Sequence, residues 1–289
     1  MTRRERWIPY AFLLPAIAGL LIFRLLPTVY AVGRSLFATS FGLNATTVFV
    51  GLDNYTTLFA DPTFWRSVGV TILFNVIINP LQTAAALLLA LLVSMRLRGI
   101  SVFRGIFFIP ISVSITVASL VWQLMLDPQS GLLNGILTSV GLPAQPFLTS
   151  PAQALPSIIV VASWIGVGYW MFFFLAGLQG ISPTLYEAAA IDGASSVRMF
   201  LHITLPLLKR VIAFVLVADT TANFLLFAPV YIMTHGGPQG STDLLMYEAY
   251  SSGFIGLDVG RATSITTILL VILLLVVGAQ LLFFRSVDR

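Results

Sequence analysis

The chain has 289 residues, of which 58% are hydrophobic and 9% charged, with a formal net charge of +4. Soluble domains carry about 25% charged residues, so a chain with mean hydropathy +0.97 cannot cover a core with polar surface and must place most side chains in hydrocarbon. The absence of cysteine excludes disulfides, thiolate metal sites and cysteine nucleophiles, and in a membrane protein the basic excess reports topology rather than nucleic-acid binding.

A helical crossing needs about 20 residues. Apolar stretches of that length fall at about 8–36, 66–95, 103–126, 154–178, 207–233 and 263–285, which predicts an all-α integral membrane protein, one domain over 1–289, with six transmembrane helices. Arg3, Arg4 and Arg6 precede the first stretch as in a signal peptide. Its apolar character, however, runs past Pro27 to Phe37 and Ala31-Val32-Gly33 is a poor cleavage site, so it is read as a retained span. Within it, Arg24 either faces an anionic cargo or snorkels to the outer headgroups, and the length of the span favours snorkelling.

Eleven of the fifteen basic residues lie in the N-terminus, the 96–104 turn, the 198–210 segment and the C-terminus. The positive-inside rule therefore places both termini in the cytoplasm. The loops at about 37–65, 127–153 and 234–262 face outward. They exceed the median connection of about 4–6 residues, so short helices or a partner-binding surface are expected in them.

Polar groups inside spans are costly and are functional candidates by default. In the third and fourth spans these are Gln123, Trp164, Tyr169 and Trp170, the aromatics doubling as possible interfacial anchors. The 182–206 segment then interrupts the apolar pattern. Ser182-Pro183, or a capping box from Thr184 to Glu187, starts a helix, and Ala188, Ala189 and Ala190 continue it without bulk. Gly193 permits a turn, Ser195 or Ser196 caps a second short helix with Val197, Phe200 and Leu201 on one face, and Pro206 fits the first turn of the fifth span. Patterning alone leaves two readings open: a slim helix entering a groove of a partner, or an amphipathic helix on the headgroups held by Arg198, Lys209 and Arg210. On the fifth span Asp219 and Asn223 share a face, with Phe227 and Tyr231 expected to continue it. Such groups either bind a hydroxyl-rich cargo and its ring face or bond across to neighbouring helices. His202 and His235 are far apart in loops and suggest no metal site.

Glu187-Ala188-Ala189, Asp192-Gly193-Ala194 and Ile203-x-Leu205-Pro206 resemble the EAA loop of ATP-binding-cassette importer permeases. Gly51-Leu52-Asp53-Asn54-Tyr55, Asp127-Pro128 with Gly131-Leu132-Leu133-Asn134, and Thr234-His235-Gly236-Gly237-Pro238 are similar to its carbohydrate-uptake branch. Arg210 departs from the second proline often found there. The resemblance implies a coupling helix between the fourth and fifth spans that docks on a cytoplasmic ATPase subunit, and a fifth span lining the path, with Asn223 where that branch often contacts ligand. It implies a homologous second permease, two ATPase subunits carrying ATP and Mg, and an extracytoplasmic solute-binding protein, in a bacterial or archaeal plasma membrane. Transport would cover sugars, polyols, glycerol phosphate or glycerophosphodiesters, with no cofactor on this chain. No G-x-x-x-x-G-K-[ST] loop occurs, so the chain is not expected to be an ATPase. The rival readings are a secondary transporter driven by an ion gradient, with Asp219 as its coupling group, and a membrane-embedded enzyme, for which no nucleophile–base or metal constellation can be picked out.

Overall fold

The computed structural model describes residues 8–39, 46–95 and 99–286. Arg3, Arg4, Arg6, Arg96, Arg98 and Arg289, counted above for topology, lie outside these residues.

The described chain is mostly helical. Helices α1 (Ile8–Leu20) and α2 (Leu26–Arg34) are joined through a π turn at Leu21–Leu25 that carries Arg24, and strands β1 (Phe37–Thr39) and β2 (Thr47–Phe49) follow. Next come α3 (Asp53–Ala60), α4 (Pro62–Ser94), α5 (Ile100–Phe108), α6 (Ile115–Met125), α7 (Leu132–Ser139) and α8 (Pro151–Gln179). Beyond these lie α9 (Pro183–Ile191), α10 (Ser196–Met199), α11 (Leu205–Leu207), α12 (Lys209–Phe224), α13 (Ala228–Met233), α14 (Leu245–Tyr250) and α15 (Val259–Ser286). Each of the three long loops contains a short helix, α3, α7 and α14.

Among the described residues, five helical stretches are each long and apolar enough to cross a bilayer: Phe12–Arg34, Pro62–Ser94, Pro151–Gln179, Lys209–Met233 and Val259–Arg285. The expected third span, 103–126, is instead two helices meeting at 99°. Pro110 sits in a 3-10 turn, and Val113 and Ser114 take extended ψ values of 132° and 134°, so the helical ladder stops and restarts. The stretch Lys209–Met233 also breaks, at Leu225–Phe227. Pro229 enters the first turn of α13 and has no N–H with which to continue the ladder of α12. Phe227 and Tyr231 therefore do not extend the helical face of Asp219 and Asn223, contrary to the even spacing in the sequence. The β1–β2 hairpin is a second departure from an all-helical chain, pairing Phe37 with Phe49.

The described residues group into two compact units. In the first, which comprises the residues up to Phe64 and Glu248–Val271, Asn54 Nδ2 donates to the carbonyls of Ser35 (2.7 Å) and Phe37 (3.2 Å). Gly260 is tucked against them: a Cβ there would stand 2.8 Å from Phe37 O. Arg261 bridges Asp61 Oδ2 at 2.7 Å and Glu248 Oε1 at 2.8 Å. Asp61 also caps α4 by accepting the Thr63 N–H at 2.8 Å, with Pro62 at the first helical position. Burial works against its charge, but the bonds from Thr63 and Arg261 outweigh it and hold the Asp61 carboxyl below its ordinary range.

In the second unit, Trp65–Tyr247 with the described residues from Ile272, α8 is the central helix. It buries Ile158, Val161, Met171 and Phe174 against α4, α12 and α13. Asn134 organises the 127–153 loop by donating to the carbonyls of Pro128 (3.0 Å) and Gln145 (2.8 Å) and accepting the Gln145 N–H (2.8 Å). Bonds from the backbone N–H and hydroxyl of Ser130 and from the Gln129 N–H keep the Asp127 carboxyl below its ordinary range. A glycine decides how closely α5 approaches α8, because a Cβ at Gly168 would collide with the carbonyl oxygen of Phe107. Gly168→Ala should therefore lower the thermal unfolding midpoint of the purified protein, at a cost of about 1–3 kcal/mol for forced overpacking. Gly135→Ala on α7, with nothing within 4 Å of the new methyl, should leave the midpoint unchanged or raise it.

Candidate functional site

The spacing of α4 places Asn75, Asn79 and Gln82 on one face at i, i+4 and i+7. That face meets α12, where Asp219, Thr220 and Asn223 point inward. The Asn223 amide nitrogen lies within hydrogen-bonding reach of three acceptors, Asn79 Oδ1 (2.7 Å), Gln82 Oε1 (3.1 Å) and Asp219 Oδ1 (3.0 Å). Asn79 Nδ2 donates to Thr220 Oγ1 (3.1 Å) and Asn75 Oδ1 (3.3 Å). From α8, Trp170 Nε1 donates to Asp219 Oδ1 (2.7 Å), and Ser163 Oγ accepts from Gln82 Nε2 (3.3 Å). From α15, Gln280 Nε2 donates to Thr220 Oγ1 at 2.9 Å. One polar network thus joins four long helices.

Asp219 and Asn223 are 1% and 4% exposed. Their chemistry is spent on hydrogen bonds inside the chain, the arrangement expected where no water competes. Asp219 Oδ2 is buried without a hydrogen-bond partner among the described residues. Of the residues singled out in the spans, Trp170 joins Asp219 and Asn223, and the others lie elsewhere. Trp164 and Tyr169 are 40% and 44% exposed. Trp164 packs edge-on against Trp122 at 5.8 Å, beside a groove of about 580 Å³ between α4, α5 and α8. Tyr169 lies against Trp170 at 4.7 Å and Phe173 at 5.4 Å. Phe227 and Tyr231 stack at 5.2 Å, with His235 edge-on to Tyr231. Gln123 Nε2 donates to the Ile232 carbonyl at 2.9 Å, tying α6 to α13.

The 182–206 segment is built as its residues dictate. Pro183 opens α9 after an extended Ser182, the first of the two starts considered above. Gly193 adopts φ +76°. Its N–H bonds to the Ala190 carbonyl at 3.1 Å, and the Ala194 N–H reaches the Ala189 carbonyl at 2.9 Å, which is a Schellman closure. Ser195 Oγ accepts the Arg198 N–H at 3.4 Å and caps α10. Glu187, Ala188, Asp192, Gly193 and Pro206 are exposed, whereas Ala189, Ala194, Ile203 and Leu205 are half-buried. The segment also exposes apolar side chains, Leu185, Val197, Leu201 and, at 87%, Ile191. His202 bonds within its own turn, Nδ1 to the Arg198 carbonyl at 3.1 Å. Among the described residues no group of three His, Asp or Glu side chains could hold a metal ion.

Sequence reasoning passed over Asn79, Gln82 and Gln280, whose bonds define the network. The signal was present: Asn75, Asn79 and Gln82, three amides at helical spacing in one apolar span, carry the same cost as Asn223. It also passed over Ile191, whose exposure becomes evident only once α9 is seen to stand clear of the bundle.

Residues 7–289 match the family described as binding-protein-dependent transport system inner membrane component. A probable ABC transporter permease of Bacillus subtilis, YurN, is 35% identical over 99% of this chain and 99% of its own. The sn-glycerol-3-phosphate transport system permease UgpA of Brucella suis is 36% identical over 100% of this chain and 97% of its own. Among solved structures, a bacterial ABC transporter that imports the acidic polysaccharide alginate superposes with TM-score 0.85 at 26% identity, covering 99% of this chain and 98% of that one. The MetNI methionine transporter, at 18% identity and TM-score 0.54 over 79% of this chain and 99% of its own, shares the fold. These kinships set aside the ion-driven alternative. The chain belongs to the family of binding-protein-dependent transport system inner membrane components and is the multi-pass permease component of an ABC importer.

Proposed function

We propose that this chain is one of two homologous permeases in an importer that moves a sugar or sugar-like solute into the cytoplasm, polyols, glycerol phosphate and glycerophosphodiesters included. All of residues 1–289 act as one six-span permease domain with both termini cytoplasmic. Two cytoplasmic ATPase subunits bind ATP and Mg, and an extracytoplasmic solute-binding protein delivers the cargo. The observation that carries this reading is the 182–206 segment. It is a slim helix closed by a left-handed glycine, displaying exposed apolar side chains on a stretch with three basic residues nearby. A helix on which Ile191 is 87% exposed gains about 1.5–3 kcal/mol when a partner groove covers that side chain. The glycerol-phosphate permeases and the alginate importer support a hydroxyl-rich cargo.

Within the spans, exposed Trp164 and Tyr169 offer ring faces to such a cargo, with Phe227, Tyr231 and Gln123 as further path residues. Asp219, Asn223 and Trp170 shape the path from behind by holding α4, α8 and α12 together. Uptake of radiolabelled sn-glycerol 3-phosphate and of maltose into proteoliposomes tests the class of cargo, with ATP inside and binding protein outside. Uptake by this chain alone under a sodium or proton gradient would overturn the reading.

Three outcomes follow for variants. Glu187→Lys or Gly193→Pro should uncouple ATP hydrolysis from transport while the complex still inserts in the membrane, checked by comparing hydrolysis with uptake in the same vesicles. Asn223→Ala should leave Asn79 Oδ1 and Gln82 Oε1 buried without this donor and cost about 1–3 kcal/mol of stability, read as a lowered unfolding midpoint. Trp164→Ala should change transport affinity or rate with a much smaller shift of that midpoint.

A further inference from the structure

The chain path from the cytoplasmic helix α9 to the long helix α12 is mechanically soft. It passes the left-handed turn at Gly193, the four-residue α10, a π turn at Phe200–Thr204, and a break at Leu208, where ψ opens to −4°. Each of these permits local give, since turns and π segments lack the regular ladder that keeps a helix stiff. A displacement of α9 carried only along this route would be absorbed before it reached α12.

One contact bypasses this route as far as Thr204, and the bond from the Leu208 N–H back to the Thr204 carbonyl closes the remaining step. The Tyr186 hydroxyl and Thr204 Oγ1 lie 2.9 Å apart, joining residues eighteen apart in the chain. Thr204 is buried and Tyr186 half-buried, whereas most of α9 is exposed. The bond is therefore shielded on one side and held by a stiff aromatic arm. By contrast, Ser182 bonds to Thr184 and Ser195 to the Arg198 N–H, both within their own turns. On the far side of Thr204, the Leu208 N–H donates to the Thr204 carbonyl at 2.9 Å. The same turn is seated tightly on α8: a Cβ at Gly177 would stand 2.8 Å from Leu208 Cδ2 and 2.9 Å from Val211 Cγ2. Contacts therefore run from α9 through Tyr186 and Thr204 to the start of α12, and onward to α8.

We propose that the Tyr186–Thr204 hydrogen bond is the strut by which movement of α9 reaches α12, making Tyr186 and Thr204 positioning residues of energy coupling. The proposal rests on the reading of α9 as the ATPase-docking helix. It assigns the force path to a side-chain pair joined within this chain.

The test uses the complete importer in proteoliposomes, with Mg-ATP hydrolysis measured with and without the solute-binding protein. A benzophenone photocrosslinker on Ile191→Cys, a unique handle in a chain without cysteine, reports docking of the ATPase. Tyr186→Phe should cut the stimulation by binding protein about two- to tenfold, the factor one lost hydrogen bond is worth, while cross-linking stays at the parental yield. Thr204→Val should do the same, the double variant should be no worse than either single one, and Thr204→Ser should keep full stimulation. Unchanged stimulation in both single variants, or effects that multiply in the double variant, would overturn the strut alone. So would a loss of cross-linking with an unchanged stimulation ratio, which is the signature of a merely structural role. If Ile191 in the otherwise native chain forms no cross-link to the ATPase, the docking reading fails and the strut falls with it.

Discussion

A side-chain amide in hydrocarbon has no water to fall back on, and the second unit of this chain is organised around that constraint. Asn223 can donate only two hydrogens, yet it faces acceptors on Asn79, Gln82 and Asp219, so it is held by more partners than it can satisfy at once. Trp170 and Gln280 extend the same network to α8 and α15. A network of this kind specifies one arrangement of helices, because sliding any one of them by a turn would leave several buried polar groups without partners. Apolar packing between helices is far less particular, since lipid tails compete for it on nearly equal terms.

That constraint bears on function through α12. The helix begins just after the 182–206 segment, seats its first turn on α8 at Gly177, and carries Asp219, Thr220 and Asn223 into the network. A helix tied so firmly to its neighbours moves with them rather than past them. The exposed aromatics Trp164 and Tyr169 stand on α8, close in sequence to Trp170, which the network holds by its indole N–H. Rearrangement of the bundle would thus reorient these exposed rings together with the network.

The breaks in the apolar stretches serve the same architecture. Proline and extended residues end the helical ladder after Phe108 and after Phe224, and non-helical backbone in a membrane chain persists only where other groups cover it. At the C-terminal end of the short helix that follows the second break, Gln123 provides such cover, its amide donating to the Ile232 carbonyl of α13. The stacked Phe227 and Tyr231 pack over the same region.

Much of this protein was legible in one dimension. Stretches of about 20 apolar residues must be helices in lipid. A Ser-Pro start followed by alanines and a glycine specifies the helix–turn of α9, because the preferences involved are local: a fixed proline φ, slim side chains and a cheap left-handed turn. The short helices of the long loops were foreseeable for a similar reason. The direction taken by Asn223 was not, since a polar residue on a helical face reads the same whether that face meets a cargo or another helix. Its partners Asn79 and Gln82 lie 144 and 141 residues away, and only packing could bring them into reach. The hairpin beyond α2 likewise depended on tertiary surroundings, as did the meeting of Tyr186 with Thr204. Sequence by itself determined the solvent, the helices and the shape of the 182–206 segment, because those follow from side chains acting on their own backbone. Which polar groups face inward, and which contacts link one helix to the next, was decided by the fold, because each such choice is a comparison between partners that the linear chain does not yet place side by side.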